Sequence, residues 1–270
     1  MAEPALLYEK RDGIAYLTFN RPERRNAFNP EVICRLADAW QDYAADDALL
    51  VAIITGAGDK SFSAGADLGR LTPLMSGSRQ PEDEWDRRLL SNSKLGQIAT
   101  LRGFPLYKPI ISAINGFCLA GGCELIQATD IRIAVESATF ALTEVKWSLM
   151  PFAGSMVRLP RQIGFSKAME IMLIGDMFDS QEAHRIGLIN YVVPPDQLMS
   201  KAEELARKIG ANGPVAVRKI KETVLRALSV SLEEGFEIEN ANARLVLATE
   251  DAKEGPRAFI EKRKPRYIGR

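Results

Sequence analysis

Apolar and polar residues alternate through Gly13-Ile14-Ala15-Tyr16-Leu17-Thr18-Phe19-Asn20. A period of two predicts a half-buried strand, which Asn20-Arg21-Pro22 ends. From Asn29 the period changes: Val32, Ile33, Leu36, Ala37, Trp40 and Tyr43 share one face at helical spacing, with Asn29 as N-cap and Pro30 as first helical residue. Residues 49–56 form a short, almost continuous apolar run, as expected of a strand covered on both faces of a parallel sheet. Strand, helix and strand make a βαβ unit. The pattern recurs, with a predicted helix over 82–101, a buried strand over 110–115 entered through Lys108-Pro109, and further strands over 130–135 and 187–193.

Beyond Pro194-Pro195 the strand pattern stops, and helical patterns run over 197–210, 215–227, 232–248 and 253–262. The chain therefore reads as an α/β core over 1–195 and a helical C-terminal region over 196–270. Residues 71–81, with glycine, serines and two prolines, read as a mobile surface loop.

Composition narrows the function. At 270 residues and 46% hydrophobic content, the chain can bury a sizeable core. Lys+Arg and Asp+Glu both count 35, so no global field favours nucleic acid or a membrane surface, and an anionic ligand must be held by local groups. A small-molecule partner is expected. Cys34, Cys118 and Cys123 form no Cys-x-x-Cys pair and have no histidine neighbours, which argues against a disulfide framework or a metal site. Residues 1–10 lack a charged start followed by an apolar run, and no stretch reaches the roughly 20 apolar residues that span a bilayer. The expected location is the cytoplasm. The single histidine, His184, falls on a predicted surface helix and gives a Ser-His-Asp mechanism little support. Neither a Walker loop nor a strand-linked Gly-x-Gly-x-x-Gly is present.

Three segments carry more glycine and acid than folding alone requires. Ser61-Phe62-Ser63-Ala64-Gly65-Ala66-Asp67-Leu68 follows a strand, and its small residues would let the Ala66 N–H approach a ligand oxygen. Asn115-Gly116-Phe117-Cys118-Leu119-Ala120-Gly121-Gly122-Cys123-Glu124-Leu125 passes from a buried strand into a helix, whose first amides, Gly121 among them, favour developing negative charge. In Phe140-Ala141-Leu142-Thr143-Glu144-Val145 an acid interrupts an apolar stretch, and burial there would raise its pKa toward that of a working proton donor. Each also has a plain structural reading: a tight turn, a packing device with a favourable first-turn acid, and an exposed or ion-paired glutamate next to Lys146. Together, two carboxylates and two N–H donors make a device for proton transfer next to a carbonyl.

In this order and spacing the segments resemble the enoyl-CoA hydratase (crotonase) superfamily, nearly end to end. Asn20-Arg21-Pro22 with Asn26-Ala27-Phe28-Asn29 resembles its opening motif, and Ser63-Ala64-Gly65-Ala66-Asp67-Leu68 its first oxyanion loop. Lys108-Pro109 through Gly121-Gly122-Cys123-Glu124-Leu125 to Asp130 resembles its most diagnostic stretch, with Glu144 and Pro151 at the family's distances. Residues 183–193 and 251–263, including Gly255-Pro256-Arg257-Ala258-Phe259 and Glu261-Lys262-Arg263, also look like family elements.

The resemblance implies a crotonase-type spiral of repeated ββα units, a helical C-terminal region serving oligomerisation and active-site cover, and a homotrimer or dimer of trimers. It implies an acyl-CoA thioester substrate, whose coenzyme A is part of the substrate rather than a resident cofactor. It places Ala66 and Gly121 on the thioester oxygen, worth about 3–4 kcal/mol per donor. Both acids being present, it implies hydration of a trans-2-enoyl-CoA to the 3-hydroxyacyl-CoA, with Glu124 on the water and Glu144 on the C2 proton. Arg25, Ala27, Ala64, Asp67, Leu68, Phe152, Phe259 and Lys262 are implied substrate or CoA contacts, with Arg24 a second basic residue beside them. Enoyl-CoA isomerase, a specialised acyl-CoA dehydratase, and a non-catalytic acyl-CoA- or RNA-binding scaffold are the competing readings.

The sequence departs from the family just after Glu144. Pro151-Phe152-Ala153-Gly154-Ser155 stands for the usual Pro-Gly-x-Gly-Gly run, and Ser148 for a usual glycine. Phe152 still offers a backbone N–H to a water, Trp147 and Met150 are expected in the core, and Phe259 likewise.

Overall fold

The computed structural model describes residues 3–270. Among them ten strands form two sheets. They are β1 (Leu6–Arg11), β2 (Ile14–Phe19), β3 (Val51–Gly56), β4 (Ser61–Ser63), β5 (Ile110–Ile114), β6 (Phe117–Leu119), β7 (Ile131–Val135), β8 (Thr139–Ala141), β9 (Phe178–Asp179) and β10 (Tyr191–Val193). The larger sheet has the order β1-β2-β3-β5-β7-β10 and is parallel except for the β1–β2 pair, while the smaller has the order β4-β6-β8-β9.

Sequence neighbours alternate between the sheets: β3, β5 and β7 lie in the larger, and each is followed after a tight turn by β4, β6 or β8 in the smaller. Helical segments then return the chain to the next turn, so the ββα repeat of a spiral is present. The turns are tight enough to require glycine: a Cβ on Gly116, between β5 and β6, would lie 2.2 Å from the Lys60 carbonyl oxygen.

The predicted strands of the larger sheet are there because their residues are apolar on both faces; β5 is buried at every position. In-register neighbours such as Ile53, Ile111 and Ile131 stack across β3, β5 and β7. The helix Pro30–Ala45 begins as expected, the Asn29 side chain accepting from the Val32 N–H, and it buries Trp40 and Tyr43 completely. Both buried polar handles are satisfied: Trp40 Nε1 donates to Ala99 O at 3.2 Å and Tyr43 Oη to Pro109 O at 2.7 Å.

Several expectations need correction. The helix expected over 82–101 is two helices, Glu84–Ser91 and Lys94–Ala99, because Asn92 adopts an extended backbone between them. The strand expected over 187–193 is only β10; its first residues instead cap the helix Ser180–Arg185, the Leu188 N–H donating to Ala183 O. Residues 71–81 are not a bare loop: a short helix occupies Leu71–Met75, and Arg79 pairs with the fully buried Asp86 at 2.6 Å.

Helix Leu198–Gly210 packs on β3, β5 and β7 through Leu198, Ala202 and Ala206. The helices Pro214–Ala227, Leu232–Leu247 and Glu250–Ile260 pack mainly on one another and leave much apolar surface open, with Leu232, Leu247 and Ile260 all exposed. No helix of the described residues is long and apolar enough to cross a membrane.

Candidate active site

Three parallel neighbours of the smaller sheet end on one edge, and each feeds one chemistry-bearing segment. β4 runs into Ala64-Gly65-Ala66, β6 into Ala120-Gly121 and the helix Gly121–Ile126, and β8 into Leu142-Thr143-Glu144. Segments nearly 80 positions apart in the chain thus meet at the carboxyl ends of adjacent strands, where open sheets present ligand sites.

The first wall is backbone. Phe28 and Ala66 form a parallel bridge, the Phe28 N–H donating to Gly65 O at 2.7 Å and the Asp67 N–H to Phe28 O at 2.9 Å. This pairing uses the groups on either side of the Ala66 N–H, which itself has no protein acceptor among the described residues. Gly121 opens its helix, so its amide has no intrahelical acceptor either. The two loops touch: a Cβ on Gly65, whose φ is +86°, would lie 2.9 Å from the Gly121 nitrogen and 2.6 Å from the Ala120 Cβ. Ala120 takes φ +47° and ψ −125°, a strained backbone for a residue with a side chain, held by its N–H to Ala141 O at 2.9 Å.

The second wall is acidic. Glu124 is 3% exposed, and Oε1 accepts from the Ser155 N–H at 3.1 Å. Burial pushes its carboxyl up to about 7, the Ser155 amide pulls it partly back, and the charge of Glu144 adds to the rise. Glu144, first residue of the 3₁₀ turn Glu144–Trp147, is also raised by burial. Its Oε2 is buried without a hydrogen-bond partner among the described residues. An unpartnered buried carboxyl oxygen and the repulsion between the two carboxyls both favour keeping a proton on the pair.

The turn after Glu144 is pinned from outside. Arg102 donates to Phe152 O, and Arg158 donates to Thr100 O at 3.2 Å and Leu101 O at 2.6 Å, tying residues 152–158 to the end of helix Lys94–Ala99. Neither arginine carried a sequence signal, since their partners are remote carbonyls. Ser148 adopts φ +57°, which explains why glycine suits that position. Phe152 is 65% exposed, with its amide unpaired among the described residues. Trp147 and Met150 are 65% and 60% exposed rather than in the core, because their 3₁₀ turn and the segment after it face outward from the sheet. Phe259 is 85% exposed, on a helix face that none of the described residues covers.

The remaining site residues divide. Ala64 and Ala27 line the bridged loops, with the Ala64 N–H donating to Arg25 O, and Leu68 is exposed beside them. Arg25 holds its guanidinium over the Phe117 ring at 5.5 Å. The Asp67 carboxylate already has partners, Arg21 and the N–H groups of Gly69 and Arg70. Lys262 stands exposed at the end of helix Glu250–Ile260, on the tail and not in either wall. His184 is exposed on helix Ser180–Arg185. Among the described residues no group of three His, Cys, Asp or Glu side chains could hold a metal ion.

Two free amides and two carboxyls gathered at the ends of neighbouring strands make an arrangement that can move a proton beside a carbonyl. The comparisons agree with that class. Residues 9–270 match the family model described as enoyl-CoA hydratase/isomerase. The chain is 41% identical to the enoyl-CoA hydratase EchA19 of Mycobacterium tuberculosis, over 99% of this chain and 97% of that protein. It is 37% identical to the crotonyl-CoA hydratase of Syntrophomonas wolfei, over the full length of both. The crystal structure of an enoyl-CoA hydratase from Bacillus anthracis superposes with a TM-score of 0.88 at 36% identity, covering 98% of this chain and 100% of that one. The chain belongs to the enoyl-CoA hydratase/isomerase family, and its spiral is the crotonase fold.

Proposed function

We propose that this protein is an enoyl-CoA hydratase that adds water across the 2,3 double bond of a trans-2-enoyl-CoA. The observation that carries the reading is the pair of carboxyls, buried Glu124 raised to about 7 and half-buried Glu144 with an unpartnered Oε2, at the strand edge that also presents the amides of Ala66 and Gly121. The thioester oxygen accepts from both amides, which draws electron density from C3 and stabilises the enolate that forms when C3 is attacked. Glu124 as carboxylate takes a proton from water, and the hydroxide equivalent bonds to C3. Glu144 in its acid form gives its proton to C2. The pair begins and ends with one proton, so exchange with solvent resets it. The chemistry asks for no group beyond these residues and the substrate's own CoA.

Arg25, Ala27, Ala64 and Leu68 form the side along which the CoA runs, with Asp67 contributing through its backbone and Phe152 bordering the water. The exposed Phe259 and Lys262 serve the CoA of a neighbouring subunit in a homotrimer or dimer of trimers. That assembly is supported by the open apolar faces of the C-terminal helices. The working division is a catalytic core, 1–195, and an assembly region, 196–270, entered through the core-anchored helix Leu198–Gly210. Cytoplasmic location fits three buried, unpaired cysteines. The test is to mix the protein with several trans-2-enoyl-CoAs and follow the conjugated thioester absorbance. Loss of absorbance is expected for at least one chain type; binding without turnover of any would refute the reading.

A further inference from the structure

We infer that Arg21 is a positioning residue of the oxyanion wall, holding the Ala66 amide in place and cancelling the charge of Asp67 beside the developing oxyanion. The inference rests on the reading of Ala66 as an oxyanion donor. Arg21 lies in the tripeptide that ends β2, far from Ala66 in sequence, and its side chain is only 14% exposed. Its Nη1 donates to Ala27 O at 2.6 Å and its Nη2 to the Asp67 carboxylate at 3.0 Å. Those two acceptors flank the Phe28–Ala66 bridge, one on each strand. The planar guanidinium therefore spans the bridge and fixes the separation of its strands, which a lysine point charge could not do with both bonds.

The backbone of Arg21 is itself fixed. Its N–H donates to Asn26 Oδ1 at 2.9 Å, and the buried Asn26 side chain donates to Ala57 O and Ser61 O at 3.0 and 2.7 Å. Asp67 completes the brace, its other oxygen accepting from the Gly69 and Arg70 amides at 3.0 and 3.1 Å. The groups on either side of the Ala66 amide are thus committed to protein partners, and that amide is left for a ligand.

The charge argument is independent of the brace. Asp67 directly follows the donor residue, so an unpaired carboxylate there would oppose negative charge growing on the substrate oxygen. With the guanidinium on it the pair is neutral. Two roles make two predictions, because replacing Arg21 removes both brace and cation, whereas then replacing Asp67 returns neutrality without the brace.

The experiment uses the full chain, an enoyl-CoA substrate, and a cinnamoyl-type CoA thioester whose absorption moves to longer wavelength when its carbonyl is polarised. The unmodified protein must hydrate enoyl-CoA; if it does not, the hydratase reading fails and not this one. Arg21→Met is expected to lower kcat about tenfold or more, with KM changed less than about threefold, and to shrink the red shift of the bound chromophore. Arg21→Met with Asp67→Asn should recover part of both losses, and Arg21→Lys should fall between Arg21→Met and the parent. Should Arg21→Met fail to fold, Asp67→Asn alone decides: its red shift should equal or exceed the parent's, since the cation then stands uncancelled. The inference is overturned by a folded Arg21→Met with parental kcat and red shift, by lost kcat with the red shift intact, by a raised KM at parental kcat, or by a smaller red shift in Asp67→Asn.

Discussion

The two walls of the site are built by opposite means. The proposed oxyanion wall is backbone: amides of Ala66 and Gly121, aimed by a strand bridge, a glycine at φ +86° and a strained Ala120. The acid wall is side chain, where Glu124 and Glu144 owe their properties to burial rather than to an ion partner. On the proposed reading the first wall stores its function in geometry, so any added atom harms it; the second stores it in a displaced proton equilibrium, so the fold is made less stable by the very group proposed to react.

The largest effects should come from the acid wall. Glu124→Gln and Glu144→Gln, made separately, should each lower kcat about 10²–10⁴-fold while leaving CoA-thioester affinity nearly unchanged, as steady-state kinetics and equilibrium binding will show. The parent's rate should fall on both sides of a pH optimum, because the reaction needs one proton on the two carboxyls: on the acid side both are protonated, and on the alkaline side, above about 7, both are ionised. Full activity in both variants would remove the acid wall from the comparison.

The backbone wall should answer to a single methyl group. In Gly65→Ala the new Cβ meets the Ala120 Cβ at 2.6 Å and the Gly121 nitrogen at 2.9 Å, displacing both donors, and kcat should drop about 10²-fold. Gly96→Ala, which meets nothing within 4 Å, is the matched control and should keep parental kinetics.

The third effect has the opposite sign. The raised Glu124 carboxyl contributes stability that is full below the ordinary carboxylate range and is lost as pH rises through about 7. Removing the ionisable group should therefore stabilise the fold at pH 8, on the order of 2–3 kcal/mol, and change little at pH 5. Denaturant unfolding of Glu124→Gln at both values checks this, and equal stability of the two proteins at pH 8 would show that the buried carboxylate costs nothing.

The walls also differed in how far the sequence disclosed them. Glu124 and Glu144 stood out as acids among apolar neighbours, and the larger sheet announced itself in runs such as 110–115, because strands buried on both faces must be apolar. β4, β6 and β8, which create the site edge, have three residues each and no measurable period. Only resemblance to a known family supplied the spiral that they build. Gly65 and Gly121 could be suspected from composition, but that their backbones touch across 56 positions is a property of the second sheet. Arg102 and Arg158 were silent, and Arg21 figured only as part of the opening motif, because their acceptors lie on segments that no local pattern connects. Trp147, Met150 and Phe259 misled because bulk and hydrophobicity do not distinguish a core residue from one that the fold leaves exposed.

The most direct measurement of the central claim is turnover of a trans-2-enoyl-CoA in water enriched in ¹⁸O and deuterium, with the product analysed by mass spectrometry and NMR. Hydration by the two acids predicts one ¹⁸O at C3 and one deuterium at C2 of a 3-hydroxyacyl-CoA. A product isomer without ¹⁸O would contradict it.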